Sequence, residues 1–211
     1  MSLVSFCGID IETDAGVLVP RAETELLART AIELGRELGA TRIIDMCCGA
    51  GNLVCALAHA LPVAHAWASD LTDECVGLAR RNVERLRLGG RVEVRQGDLF
   101  TPLLDLDPVD LVVCNPPYIS TGRLAKESAH LLEHEPREAF DGGPYGLTIH
   151  QRVIADAPRH LRPGGWLAFE IGAGQARQLE ILFKRATAFS ELRQVLDEAG
   201  VVRVVVARRV A

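Results

Sequence analysis

The sequence predicts an α/β protein: a mostly parallel, seven-stranded sheet with a terminal antiparallel hairpin, preceded by a short N-terminal β-hairpin. Three observations carry this. Apolar stretches of strand length alternate five times with segments of helical period, as in parallel strands joined by crossover helices. The alternation then stops, and the last two strands are separated only by the turn Asp197-Glu198-Ala199-Gly200. Four successive strands also end in glycine, acid or amide residues, all on one edge of the sheet, where open α/β sheets bind ligands. The 211 residues suit one domain, and 48% hydrophobic content suffices for its core. With only 5% aromatics, that core is built from Leu, Val, Ala and Ile.

In chain order, Phe6 to Glu12 alternates loosely, and Asp14-Ala15-Gly16 turns into Val17-Leu18-Val19, a hairpin closed by Pro20. Arg21-Ala22-Glu23-Thr24-Glu25 opens a helix to about Leu38, its acids in the first turn where the helix dipole favours them. Arg21 and Glu23 read equally as a surface turn. Arg42–Met46 is a strand, Cys47-Cys48-Gly49-Ala50-Gly51 a glycine turn, and Asn52–Leu61 a helix ended by Pro62. Ala64–Asp70 is the second strand and Thr72–Leu86 its helix, with Val76, Ala79, Val83 and Leu86 at helical spacing. The third strand, Arg91–Arg95, leads into Gln96-Gly97-Asp98-Leu99-Phe100. Val109–Cys114 is an apolar buried strand that must end at Asn115-Pro116-Pro117-Tyr118, because neither proline has an N–H for a neighbour. Pro116 also holds Asn115 extended.

A long passage from Ile119 to Gly146 follows, with a short helix over Arg123–Leu132, and reads as a lid or substrate-binding loop. Leu147–Leu161 is a helix tolerating Pro158 late. Pro163-Gly164-Gly165 turns into strand Trp166–Ile171, and Gly172-Ala173-Gly174-Gln175 starts a helix to about Ala186. Strands near Leu192–Val195 and Val202–Arg208 complete the sheet. An all-parallel nucleotide-binding fold would not end in such a hairpin; a Rossmann-like class I methyltransferase sheet would.

Composition excludes several functions. A net charge of −5 opposes stable nucleic-acid binding. Arg80, Arg81, Arg85, Arg87, Arg91 and Arg95 form one basic cluster, but without interleaved aromatics it reads as a solvated face. The start lacks the features of a signal peptide and no apolar run reaches membrane length, which points to a cytoplasmic protein without membrane association. Cys7, Cys47, Cys48, Cys55, Cys75 and Cys114 form no C-x-x-C pair and read as free thiols, mostly buried. His130 and His134 lie four apart without the H-E-x-x-H pattern, so no metal site is expected. Walker A is absent, and Val54 occupies the third glycine position of a dinucleotide fingerprint, which disfavours a nicotinamide oxidoreductase.

The edge residues point to chemistry. Glycines at 49 and 51 allow close approach of a ligand to the backbone, and a phosphate- or nucleoside-cradling role is open to them. Asp70, 21 residues beyond Gly49, can accept from both hydroxyls of an adenosine ribose, or can cap the next helix. Asp98 can accept from an adenine amino group and Leu99 can cover the ring. Together they suit S-adenosyl-L-methionine, whose methyl is already activated on a sulfonium. The Asn115 side-chain carbonyl and the Pro116 backbone carbonyl can both accept from an N–H₂ group, and the Tyr118 ring can stack on a planar acceptor. A carboxylate, with no N–H, would face two carbonyls.

At these residues the chain resembles the protein-(glutamine-N5) methyltransferases, which modify the glutamine of a Gly-Gly-Gln tripeptide in peptide-chain release factors, with a sister group acting on a ribosomal protein. Val17-Leu18-Val19-Pro20-Arg21-Ala22-Glu23-Thr24-Glu25 is similar to the family's V-L-I-P-R-P-E-T-E, and Gly97-Asp98-Leu99-Phe100 and Asn115-Pro116-Pro117-Tyr118-Ile119 match closely. So do Glu135-Pro136, Gly142-Gly143, Pro163-Gly164-Gly165 and Glu170-Ile171-Gly172-x-Gly174-Gln175. The resemblance implies a single methyltransferase domain over residues 1–211 (hairpin and helix to 38, core from 39). It implies S-adenosyl-L-methionine contacts drawn from Asp45, Cys47, Cys48, Gly49, Ala50, Gly51, Asp70, Leu71, Asp98, Leu99 and Asn115. Acceptor contacts would come from Asn115, Pro116, Pro117 and Tyr118. Cys47 stands for a family glycine, which the backbone accommodates if φ stays negative; Ala22 replaces a proline, and Tyr145 an aspartate. The family's N-terminal helical domain has no counterpart here, so a separate chain could supply docking. Alternatives are a ribosomal protein, small amide or base amine as acceptor, and a non-catalytic S-adenosyl-L-methionine-binding partner.

Overall fold

Parallel strands need crossovers, and the order in which they are laid down decides which strand ends meet. The computed structural model describes residues 2–126 and 136–210. Strands β1 (Ser2–Phe6) and β2 (Ile9–Thr13) form a hairpin, followed by helix α1 (Thr24–Leu38). Then come β3 (Arg42–Met46), α2 (Asn52–Ala60), β4 (His65–Asp70), α3 (Asp73–Arg85), β5 (Val92–Gln96) and β6 (Val109–Cys114). After α4 (Thr121–Lys126), the chain continues through α5 (Thr148–His160), β7 (Leu161–Glu170), α6 (Ala176–Ala186), β8 (Phe189–Leu196) and β9 (Val202–Arg209). The sheet order is β5-β4-β3-β6-β7-β9-β8, with β9 antiparallel to both neighbours. The chain therefore winds outward on one side from β3 and on the other from β6. These two strands pair side by side, with Met46 opposite Cys114. Such a reversal of winding opens a crevice at the carboxyl ends.

All six residues of β6 are buried, as expected of the strand at the centre of a sheet covered on both faces. Ile43, Leu111 and Val113 pack with Leu27, Leu57 and Val76 on the α1–α2–α3 face. Ile44, Val112 and Cys114 pack with Val153, Phe169 and Leu179 on the other. Asp110, the one acid in β6, accepts from the Thr41 and Arg42 amides at 2.8 and 2.9 Å and from Arg162 at 2.5 Å, stapling the entrances of β3 and β7.

Several expectations are corrected. The hairpin lies earlier than the alternation predicts: Phe6 pairs with Ile9 across a two-residue turn, Cys7-Gly8, with φ of 48° and 80°. Both positions require positive φ, as in the primed hairpin turns. A cysteine there carries none of the usual turn signal. Val17–Val19 is accordingly not a strand. The first helix begins at Thr24, after a turn at Ala22 and Glu23. Strand β7 starts at Leu161, so Pro163-Gly164-Gly165 lies within it, where its pairing with β6 shifts register. Helix α4 includes Arg123–Lys126 of the expected Arg123–Leu132 helix; the rest of that helix lies outside the described residues, as do His134 and Glu135.

The basic cluster is not simply a solvated face. Arg91 donates to the carbonyls of Ala58, Leu61 and Ala64 at the end of α2, and Arg80 donates to the Val94 carbonyl. Arg81 pairs with Glu12 and Asp14, and Arg95 with Glu93 and Asp105. Four of the six arginines thus serve the fold. The N-terminal hairpin is anchored by fully buried Asn82, whose amide accepts from the Glu12 N–H and donates to the carbonyls of Glu12 and Ala50.

Candidate active site

The glycine turn after β3 meets the β6 terminus. Cys47, Gly49 and Gly51 have φ of 56°, 52° and 76°. The condition under which the backbone would accommodate Cys47, a negative φ, is therefore not met: an L-residue holds a left-handed conformation that costs about 1–2 kcal/mol. Asp70, at the end of β4, accepts from the Gly49 amide at 2.9 Å and from its neighbour Leu71 at 2.8 Å. It braces the glycine turn while lining the cavity. Asp45 does not line it. Wholly buried, it accepts from the Val54 amide at 2.9 Å in the first turn of α2. Burial, opposed by that amide and reinforced by Asp70, pushes its pKa up to about 8.

A cavity of about 430 Å³ runs along the carboxyl edge. Its floor and walls include Cys47, Gly49, Asp70, Leu71, Asp98, Leu99, Asn115 and Pro117, with Ile149 from α5. Residues 136–139 and Asp141 close the side, so the end of the expected lid forms a wall. That wall is tied to the β6 exit: Ile119 donates to the Phe140 carbonyl and accepts from Gly142. Asp98 pairs with Arg152 at 2.5 Å, and the Leu99 carbonyl accepts from the Ser69 hydroxyl at 3.0 Å. Cys48 and Ala50 line a separate crevice of about 30 Å³, and Gly51 packs against Ala79 instead of facing the ligand edge.

A second, smaller cavity of about 80 Å³ adjoins the first and shares Leu18, Asn115 and Ala139 with it. It adds Arg21, Pro116, Tyr118, Ile119, Phe140 and Glu170. Arg21, exposed and at the head of the turn that closes on Thr24, also stands over the Phe140 ring at 5.8 Å, so the surface turn contributes to this wall. The Asn115 amide donates through Nδ2 to the Thr24 hydroxyl at 3.2 Å. The Tyr118 hydroxyl donates to Glu170 Oε1 at 3.2 Å, and Arg203 Nη2 lies 3.9 Å from that oxygen. Burial and the nearby Glu170 charge push the Tyr118 pKa up to about 12, which keeps the phenol protonated. Burial likewise raises the pKa of Glu170, against the hydrogen bonding of Thr24 and the Arg203 charge. Its Oε2 makes no hydrogen bond of its own.

Sequence reasoning missed Glu170, Thr24 and Arg203 as site residues. The available signal was an acid at the end of an apolar strand, Trp166-Leu167-Ala168-Phe169-Glu170, with no solvent side to face. All six thiols are free, three of them fully buried. Among the described residues no three His, Cys, Asp or Glu side chains cluster as metal ligands, and no helix is long and apolar enough to cross a membrane.

Residues 22–143 match the methyltransferase small domain family. The chain is 39% identical over 198 residues to the release factor glutamine methyltransferase of Gloeobacter violaceus, covering 94% of this chain and 69% of the relative. It is 40% identical to that of Geobacter sulfurreducens over 200 residues, covering 95% and 68%. Among solved structures, a methyltransferase from Pyrococcus furiosus superposes with a TM-score of 0.67 at 17% identity, covering 97% of this chain and 90% of that one. The N-terminal domain of human METTL16 superposes with 0.66 at 20% identity, covering 95% and 75%. These two likenesses are of fold.

Proposed function

The chain belongs to the protein-(glutamine-N5) methyltransferase family, and on that premise we propose that it transfers a methyl group from S-adenosyl-L-methionine to a glutamine side-chain amide of a peptide-chain release factor. The observation that carries this reading is Asn115 standing in the shared wall of a large cavity and a small one. The large cavity fits the cofactor. Its volume suits a nucleoside-sized ligand, and with Asp98 paired to Arg152 and Asp141 to Arg137, Asp70 and Glu138 leave its walls acidic, which favours a cationic one. A side chain at Gly49 would project into open space there. Asp70 would hold the ribose hydroxyls, with Leu71, Leu99 and Ile149 as apolar walls and Asp98 at the rim. When bound, S-adenosyl-L-methionine supplies a methyl group already activated on its sulfonium.

The chain supplies placement. The small cavity has room for a group of a few heavy atoms, which favours a side-chain amide over a nucleobase. With its Nδ2 committed to Thr24, Asn115 offers Oδ1, and Pro116 offers its carbonyl, to the two N–H groups of the acceptor amide. As the nitrogen is alkylated those hydrogens become more acidic, so both acceptors bind most strongly in the transition state. Tyr118, kept neutral and held by Glu170, presents its ring without competing charge. Residues 1–38 and 39–211 act as one catalytic domain in this reading, since Leu18 and Asn115 line both cavities. The six free thiols support a cytoplasmic setting.

The test is labelled methyl transfer to peptides carrying Gly-Gly-Gln, Gly-Gly-Asn or Gly-Gly-Glu. Transfer to the glutamine peptide alone is expected. Transfer to the glutamate peptide, or to RNA in preference to any peptide, would overturn the reading.

A further inference from the structure

We propose that Thr24 is a positioning residue for methyl transfer: its hydroxyl, oriented by Glu170, fixes which end of the Asn115 amide faces the acceptor. The inference rests on the reading of Asn115 as the group that receives the acceptor amide.

An asparagine amide has nearly the same shape when turned by half a revolution, so packing alone does not choose between presenting oxygen and presenting NH₂. The choice decides the chemistry. Oxygen accepts from a glutamine amide, whereas NH₂ would repel its N–H₂ and welcome a carboxylate. The structure supplies an external cue. Asn115 Nδ2 donates to Thr24 Oγ1 at 3.2 Å, a contact between residues 91 apart in sequence. Thr24 is the first residue of α1 and only 2% exposed, so water does not compete for its hydroxyl.

A threonine hydroxyl has one proton and two lone pairs. Beside it lies the Glu170 carboxylate, which is 1% exposed and interacts with Thr24. Glu170 Oε2 is buried without a donor of its own, so the Thr24 proton turns toward this acid and a lone pair turns toward Asn115. Only the NH₂ end of Asn115 satisfies a lone pair. The polarity of Glu170 is thus passed through Thr24 to Asn115, which leaves Oδ1 for the acceptor. The same carboxylate takes the Tyr118 hydroxyl at 3.2 Å, so one buried acid sets the polarity of both sides of the small cavity. This gives the segment before the seven-stranded sheet a part in the transfer as well as in the fold.

The experiment compares wild type with Thr24→Val, which keeps the shape and loses the hydroxyl, and Thr24→Ser, which restores it. Steady-state transfer to a Gly-Gly-Gln peptide, cofactor affinity by calorimetry and inhibition by the Gly-Gly-Glu peptide are measured for each. For Thr24→Val, kcat is expected to fall about tenfold or more, with the cofactor Kd changed less than about threefold. The glutamate peptide should gain affinity relative to the glutamine peptide by about fivefold or more. Thr24→Ser should return both values to near wild type. Equal impairment of both variants with unchanged discrimination would overturn the proposal in favour of simple packing, and so would an unimpaired Thr24→Val. The orientation is also read without turnover, from hydrogen exchange of the Asn115 side-chain NH₂ by NMR in the full chain. Slow exchange in wild type, retained in Thr24→Ser, supports the lock. Fast exchange in wild type overturns it, whatever becomes of Thr24→Val. An inactive wild type with a slowly exchanging Asn115 amide would refute the glutamine reading while leaving the lock supported.

Discussion

Asn115, Cys47 and Asp45 sit within one crossing of strand ends, yet their physical duties differ. Asn115 acts on charge that develops during transfer, so Asn115→Ala should lower kcat by about 100-fold or more. Cofactor affinity should change far less, as calorimetry and steady-state kinetics on the same preparation will show. Cys47 holds φ of 56°, a conformation glycine adopts freely. Relief of strain by Cys47→Gly is offset by lost packing and a more flexible unfolded chain, so stability should rise by up to about 1 kcal/mol. A loss exceeding about 1 kcal/mol in urea unfolding would contradict this. Asp45 binds its proton more tightly folded than unfolded, because burial raises its pKa from 3.8 to about 8. Its contribution to stability is therefore fully present below the unfolded value and declines as pH rises through that window. Asp45→Asn should flatten this decline, seen as a stability difference from wild type that grows from about pH 4 to about pH 8 and is level above it.

At the scale of elements, the site depends on how the β6 exit is clamped. A Cβ added at Gly142 would lie 2.7 Å from the Pro117 carbonyl oxygen and 2.8 Å from the Gly146 Cα, both backbone atoms that cannot swing away. Gly142→Ala should displace the Asn115–Tyr118 turn and reduce transfer about tenfold or more, while cofactor binding, shared with Asp70, Leu71 and Leu99, should weaken less. The elements also show what the sequence makes visible. Where a strand ends in its own local signal, as Asp70 and Asn115-Pro116-Pro117 do, position and edge could be read directly. Thr24, Glu170 and Arg203 could not, because their meeting depends on which strands become neighbours across the sheet. Proline and glycine misled at β7, where Pro163-Gly164-Gly165 sits inside a strand whose pairing shifts, and Cys7 hid a turn normally marked by Asn or Gly. Asn82 gave no sign of bridging the hairpin to the glycine turn, since a helix-face asparagine usually meets water.

Across the whole molecule, charge and shape point the same way. The net charge of −5 disfavours a polyanionic partner, and four arginines of the basic cluster are committed to carbonyls and carboxylates of the fold. Excess structured RNA should therefore not compete with methyl transfer to a protein. The reversal of winding between β3 and β6 brings the large and small cavities together at Asn115, and the account stands on that junction. The measurement that tests it most directly is transfer of labelled methyl from S-adenosyl-L-methionine to purified release factor, mapped by peptide mass spectrometry, with Asn115→Ala in parallel. The account predicts label on the Gly-Gly-Gln glutamine, lost in the variant. Label elsewhere, or label retained by Asn115→Ala, would contradict it.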